Sequence, residues 1–518
     1  MALQTTNEES AYHALAPSPW IARIAGMVGV GASLGFSELL AGVVASVPSL
    51  IVGVATLVID TVPKPVRDFA ISLFGTADKL ALGIGIVLIA VALGAWVGAR
   101  SETNDSAGPI VFSAFGLFGG LAASRTADAG LTASLVAGGL AAAIGLLTLR
   151  ALLSAGTKAS GTDAVAGRRA FLVGAGSTVL FSLVAGLVGR GFSESTTETV
   201  AARGEVGLPE PATPAALPTE AMSLEVDGIS PLVTPTRDFY RIDTAFVPPR
   251  VDASTWSMRI TGMVENEVEL SYQDLLDLDM VEQYITIACV SNEVGGGLVG
   301  NAKWLGVPLR DVLVLAGVQP GAEQLVGRSV DRFTVGFAVE AAFDGRDALV
   351  AVAMNDEPLP IEHGCPARLV VAGLYGSVSA TKWLEELHLT EWDAFDAYWI
   401  PRGWAKEAPI KTQTRIDTPR PGRIGEGPRA IAGVAWAPNR GIERVDVRID
   451  GGPWQEAELA ASLVQDSWRQ WSLAWTPTTG RHMIEARAID GTGEVQTDVE
   501  RPPAPDGASG YHTISVTL

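Results

Sequence analysis

The pattern of apolar and polar positions changes character near residue 190. Before it lie uncharged runs of 18 or more residues, Leu80–Ala99, Ser106–Ser124, Ala129–Leu149 and Ala170–Gly189, and about 20 helical residues cross the hydrocarbon of a bilayer. Upstream, the stretch from Ile24 to Ile59 is broken only by Glu38, and Ser46, Pro48 and Ser49 divide it near its middle. It predicts one span at about 21–45 and a shorter segment at about 47–62 that spans or re-enters. Residues 1–192 are thus expected to form a transmembrane helical bundle of five or six spans. Gly29, Gly31 and Gly35 sit one position out of step with a dinucleotide-binding glycine loop and follow no strand, so they predict close helix packing. Glu38 is expected to face a helix neighbour.

Beyond residue 192 the periodicity shortens. Residues 193–222, rich in Thr, Glu, Ala and Pro, read as a linker. Over 223–424 the runs Trp256–Gly262, Tyr284–Cys289, Phe333–Val339, Leu349–Met354 and Arg368–Val371 predict strands, with helices at Tyr272–Asp277 and Leu309–Ala316. This is an α+β pattern. Over 425–518 come seven strand-like pieces, among them Ala430–Trp436, Arg444–Ile449, Trp468–Trp475 and Arg481–Ile489, separated by Pro-Asn and Asp-Gly turns. They predict an immunoglobulin-like β-sandwich.

Composition sharpens the division. Only 18% of residues are charged and the mean hydropathy is +0.28, high for a wholly soluble chain. The net charge of −20 sits in one part: residues 1–200 hold 11 Lys/Arg against 12 Asp/Glu, and residues 201–518 hold 26 against 45. That acidic part opposes a nucleic-acid partner. The chain has two cysteines, Cys289 and Cys365, so it has no disulfide scaffold and no Cys-ligated iron–sulfur cluster. His13 alone precedes residue 200 and no Cys-x-x-Cys-His motif occurs, which excludes bis-His haem in the spans and attached c-type haem.

Arg168 and Arg169, with Lys158 in the same loop, stand before the last span. The positive-inside rule puts that loop in the cytoplasm and everything after Gly189 outside. Gly-Arg168-Arg169-Ala-Phe-Leu also resembles a twin-arginine export signal, with Gly167 where Ser or Thr is usual. The expected location is a bacterial cytoplasmic membrane, multi-pass, with an extracytoplasmic catalytic domain.

The chemistry lies in three ordered motifs. Tyr284-Ile-Thr-Ile-Ala-Cys289-Val-Ser-Asn292 carries a cysteine from a strand into a Gly-rich loop, followed by Asn301-Ala-Lys-Trp304-Leu-Gly306; His363-Gly364-Cys-Pro366-Ala-Arg368 comes next, and then Gly376 and Lys382-Trp383. Together they resemble the sulfite oxidase family of molybdopterin enzymes over residues 225–518, with the sandwich as the family's dimerisation domain. The resemblance implies that Cys289 is the molybdenum ligand, a soft thiolate suited to a metal held by a pterin dithiolene. It also implies a pterin held by Tyr240, Arg241, Asp331, His363, Arg368, Ser379, Thr381 and Lys382. Arg241 comes one position early in Asp238-Phe-Tyr240-Arg241-Ile-Asp243, which lacks the family's Asn, and the loop holding Ser379 and Thr381 has one extra residue. Tyr398, with Arg241, is the candidate for direct catalysis. Arg402, Lys406 and Lys411 either line an anion path or form a solvated face. Cys365 reads as a structural thiol.

The implied cofactor is Mo-molybdopterin, and the implied activity is oxygen-atom transfer by a membrane-anchored oxidoreductase. Its substrate would be sulfite or a related sulfur oxyanion, with electrons passing to a separate cytochrome or quinone. Membrane lipid and a second copy of the chain are the other expected partners. Glu293-Val294 replaces the arginines that sulfite oxidisers carry after this Asn, so two alternatives stay open. One is reduction of an S-oxide on the same site; the other is a non-catalytic membrane-anchored binding or sensor protein.

Overall fold

The computed structural model describes residues 19–44, 47–74, 77–126, 130–159, 164–202 and 207–518. Residues 1–18 of the expected membrane region, Ala129 at the start of one expected span and 203–206 of the expected linker lie outside the described residues. The chain divides into two units, residues 1–200 with 245–250, and residues 201–244 with 251–518.

In the first unit, four described helices are long and apolar enough to cross a membrane: Pro19–Val43, Asp78–Arg100, Leu131–Lys158 and Val165–Gly189. The other two expected segments form shorter apolar helices, Leu50–Thr61 and Ala107–Ala123. Leu50–Thr61 is short because Ser49 caps it, accepting from the Val52 N–H at 3.2 Å. The same hydroxyl donates to Glu38 at 2.5 Å, so this carboxylate does face a helix neighbour. A further helix, Lys64–Phe74, falls where the sequence pattern predicts none. The last helix is continuous to Ala202, ten residues into the expected linker.

Glycines allow these helices to touch backbone to backbone. A β-carbon at Gly94 would lie 2.7 Å from the Gly26 carbonyl oxygen, one at Gly29 2.9 Å from that of Gly145, and one at Gly35 2.6 Å from that of Ser182. Gly29 and Gly35 therefore pack helices as expected, whereas Gly31 meets nothing within 4 Å. Bulky side chains such as Leu88, Trp96 and Leu187 point outward. Small residues inside and large apolar ones outside invert the order of a water-soluble bundle and suit a lipid surround, where close van der Waals packing replaces hydrophobic burial between helices.

The second unit begins with two sheets. Strands β1 (Ser257–Gly262), β2 (Val268–Ser271), β5 (Gln324–Ser329), β6 (Thr334–Ala338) and β10 (Leu384–Thr390) form one in the order β2-β1-β10-β5-β6, parallel only between β1 and β10. Strands β3 (Val281–Ala288), β4 (Val299–Pro308), β7 (Ala348–Met354) and β8 (Glu357–Pro358) form the other in that order, and β9 (Arg368–Val371) adds to β7. Leu309–Ala316 packs Leu309, Val312, Leu313 and Ala316 into the core between them.

The remaining strands form a sandwich of two sheets. One sheet has β11 (Gln413–Thr418), β13 (Arg429–Trp436), β16 (Glu458–Leu459) and β17 (Arg469–Trp475); the other has β12 (Gly422–Arg423), β14 (Ile442–Ile449), β15 (Gln455–Glu456), β18 (Arg481–Asp490) and β19 (His512–Thr517). Ile431 and Trp471 of the first share a core with Val445, Ile484 and Val516 of the second. The sandwich begins upstream of residue 425, because β11 pairs with β13 and hydrogen bonds to a distant strand leave no local signature.

Sandwich and β3–β4 sheet share a buried seam. Thr286 N donates to Asp466 O at 2.9 Å, Trp468 N to Thr286 Oγ1 at 2.8 Å, and Asn301 Nδ2 to Ser467 Oγ at 2.8 Å. Beside them the Asp347 and Asp466 carboxyls share a hydrogen bond; burial and then the neighbouring charge push Asp347 up to about 6. The folded state therefore holds a proton that the unfolded chain loses near pH 4, and stability falls as pH rises from about 4 to about 6. Asp347→Asn should stabilise the protein at pH 7.5 by about 1 kcal/mol after discounting for partial exposure, and the gain should vanish near pH 4. Thermal melts of both proteins across that range check this.

Candidate active site

Strand β3 is buried through its second half and delivers Cys289 at its end. The next nine residues turn back into β4 through a loop tied to the cysteine itself. Cys289 N donates to Leu298 O at 2.9 Å, Asn292 N to Cys289 O at 3.0 Å, and Leu298 N to the Asn292 side-chain oxygen at 2.8 Å. The Cys289 sulfur, 8% exposed, lies 3.0 Å from Ser291 Oγ. Burial pushes this thiol up, and the Ser291 contacts partly offset it.

Arg368 is the first residue of β9 and 4% exposed. Its guanidinium lies 5.0 Å over the Trp304 ring and donates from Nη1 to His363 O at 3.0 Å. Among the described residues, no acidic side chain forms an ion pair with it, and burial brings it down to about 10. Tyr240 bridges the two groups electrostatically. Its phenol is pushed up by burial, then by the Cys289 charge, with Arg368 opposing. A methyl at Gly376 would lie 3.7 Å from Ala288 O and 3.9 Å from the Tyr240 hydroxyl, so the 376–382 loop borders the same space.

His363 is buried, its Nε2 3.1 Å from Thr236 O and its ring edge-on to Phe239. Burial and then Arg368 bring it down to about 4, so the imidazole is neutral near pH 7. Lys382 donates to the Asp243 carboxylate and, at 2.9 Å, to Glu362 O. Arg241 is half exposed, 3.9 Å from both Asp243 and Glu362. Asp331 is raised by burial while Ser329, the Phe333 N–H and Thr244 bond it. Ser379 Oγ donates to Leu374 and Tyr375 carbonyls. The Thr381 and Ser377 hydroxyls are buried without a hydrogen-bond partner. Arg332 and Trp383, beside Asp331 and Lys382, hold φ values of 69° and 49°, a left-handed strain of the kind that gathers at ligand sites.

Cys289, Tyr240, Arg368 and His363 thus form one connected cluster, joined through Arg241 and Asp243 to Lys382. Tyr398 stands on another branch: its N–H meets Thr334 Oγ1 at 3.0 Å, its ring contacts Phe333, and the Arg402 guanidinium lies 3.6 Å over it. Lys406 donates to Trp392 and Phe395 carbonyls and Lys411 to Asp506, so neither is a bare solvated cation. Glu293 is exposed, and it forms no ion pair with Arg402 or Lys406. Cys365 is pushed up to about 11 by burial, as befits a structural thiol. Sequence reading missed Ser291, Ser377, Asp243 and Tyr375. The last is buried and feels the Cys289 charge, but no motif marks it.

The described residues fit an anionic, metal-bearing group: a soft sulfur donor and a buried guanidinium without a counter-ion flank Tyr240, which feels both. Residues 245–399 match the oxidoreductase molybdopterin binding domain. The curated proteins similar to this part of the chain include sulfite oxidases. Mitochondrial sulfite oxidase of Rattus norvegicus is 30% identical over 323 residues, covering 52% of this chain and 58% of that protein. Sulfite oxidase of Arabidopsis thaliana is 26% identical over 336 residues, covering 52% and 84%. The chain thus spans little more than half the length of the mammalian relatives. Among solved structures, the sulfane dehydrogenase SoxCD from Paracoccus pantotrophus matches with a TM-score of 0.48 and 25% identity, over 59% of this chain and 92% of that one.

Within this family domain the Ser291 contact makes a direct prediction about the thiol. Deleting the hydroxyl leaves burial unopposed, raises the thiol further and lowers the thiolate fraction. In protein prepared without molybdenum and carrying Cys365→Ser, Ser291→Ala should slow alkylation of Cys289 at pH 8 by about two- to fivefold.

Proposed function

We propose that the chain is a membrane-anchored molybdopterin-dependent oxidoreductase that oxidises sulfite or a related sulfur oxyanion outside the cytoplasmic membrane. The carrying observation is the buried Arg368 guanidinium, which has no acidic partner and faces the region of Cys289. When bound, the cofactor supplies two-electron redox chemistry and oxygen-atom transfer. Cys289 would hold the metal as a thiolate, since coordination removes the proton that burial otherwise favours. Arg368, Lys382, Tyr240, Arg241, Ser379 and Thr381 would hold the pterin and its phosphate. Neutral His363, whose Nε2–H is spent on Thr236 O, would offer Nδ1 as an acceptor, and Asp331 would accept from the ring. Arg241 would be the charged contact of the substrate anion, and Tyr398, braced by the overlying Arg402 on a separate branch of the domain, would offer it a hydroxyl.

Anchoring rests on the apolar helices, and the exposed pair Arg168 and Arg169 before the last of them supports export of the domain beyond it. The names of the curated relatives support sulfite as substrate. The electrons would leave through a separate cytochrome or quinone, and the immunoglobulin-like sandwich would pair two copies. Protein purified from membranes should contain about one molybdenum and one pterin per chain and should oxidise sulfite with an artificial acceptor. Cys289→Ala should lose at least about a thousandfold in kcat while melting near the parent, because the pterin contacts remain. Absence of molybdenum, or full turnover in the variant, contradicts the proposal.

A further inference from the structure

The loop after Cys289 is held from two sides, and the second side belongs to the sandwich. On the inner side lie the hydrogen bonds among Cys289, Asn292 and Leu298. On the outer side, Arg415 of β11 donates from Nη1 to Gly296 O at 2.9 Å. That arm is itself fixed: Arg415 Nε donates to Asp417 Oδ1 at 2.6 Å and Nη2 to Ser230 Oγ at 2.8 Å, and Ser230 N donates to Asp417 Oδ2 at 2.9 Å. Both partners of the Arg415–Asp417 pair are largely buried. His512, at the start of β19, accepts the Ile416 N–H at Nδ1 (2.9 Å) and turns its ring onto Gly295. The fit admits only glycine there. Gly295 has φ +76°, and an added β-carbon would overlap the imidazole.

The sandwich has departed from regular pairing to make this contact. The β11–β13 register shifts between Ile416 and Thr418, at the residues that present Arg415, Ile416 and Asp417. Such a bulge redirects side chains that a regular ladder would send elsewhere. Burial and the Arg415 charge bring His512 down to about 4, leaving Nδ1 a free acceptor near pH 7.

We infer that Arg415 and His512 are positioning residues: they clamp the 290–298 loop and thereby set where the Cys289 sulfur stands. The sandwich is then a working part of the catalytic centre and not an appended module. The effect at the metal rests on the proposed role of Cys289 as its ligand; the clamp itself is a property of the protein.

The test uses the full-length holoenzyme with Arg415→Met and His512→Leu, and with Arg415→Lys and His512→Asn as conservative counterparts. Amide hydrogen exchange at residues 293–298 should quicken about tenfold in the Met and Leu variants, with exchange in β14 and β18 unchanged. His512→Asn, which keeps an acceptor for the Ile416 N–H, should recover most of the protection. The thiolate-to-metal absorption of Cys289 should shift in the Met and Leu variants, and kcat should fall more than KM rises. Loop exchange unchanged in both variants overturns the clamp. Faster exchange with an unmoved absorption band and unchanged kcat overturns the positioning role. If Arg415→Met does not fold, the His512 pair carries the same comparison. Should the parent hold no molybdenum, the functional reading fails by itself. The clamp is then decided by loop exchange and the Cys289 alkylation rate, and unchanged values in the variants refute it.

Discussion

Arg368 is 4% exposed, and removing a guanidinium from water costs several kcal/mol unless the interior replaces what hydration supplied. Here the interior offers an indole face, two carbonyls and a neutral histidine, which leaves a positive field without a counter-ion. Much of the neighbouring structure answers to that constraint. Trp304 sits at 0% exposure in β4 with its own N–H on Ile285 O, so its face is free to stack. His363 stays neutral because burial disfavours its cation and the Arg368 charge adds to that cost. Tyr240 is an acid whose charged form the field favours and burial resists. An anionic group at this place relieves the imbalance, which is why the arrangement reads as a cradle and not as a core.

The other two parts of the chain bear on that cradle differently. The apolar helices are built by glycine contacts and carry their bulk outward, and four of them are long and apolar enough to cross a membrane. The sandwich reaches directly into the centre: its strands pass hydrogen bonds to Thr286 and Asn301 at the base of β3 and β4, and Arg415 and His512 meet the loop beyond Cys289. A loop rich in glycine has little rigidity of its own, so its geometry comes from what surrounds it.

Local signals in the sequence were strong where one strand or helix carries its own periodicity. Leu309–Ala316 and Arg368–Val371 form over the residues their patterns mark. β4 gave no alternation because both its faces are buried, and a strand of that kind reads as a continuous run. β11 lacked a signal for another reason: its Gln-Thr-Arg-Ile-Asp-Thr sequence is polar at every site but Ile416 and pairs with residues 14 or more positions later. In the site, Cys289, His363 and Arg368 stood out through their motifs. Ser377 and Tyr375 did not, and Arg415 and His512 could not, since their contact with the loop spans more than a hundred residues of chain.

The central claim is that Cys289 completes the coordination of a pterin-held molybdenum within this charged cradle. Molybdenum K-edge X-ray absorption on the purified full-length protein and on Cys289→Ser tests it most directly, since it counts sulfur neighbours at the metal. The account predicts a molybdenum signal in both proteins, with one sulfur scatterer fewer in the variant. Equal sulfur counts in the two proteins, or no molybdenum in the parent, would contradict it.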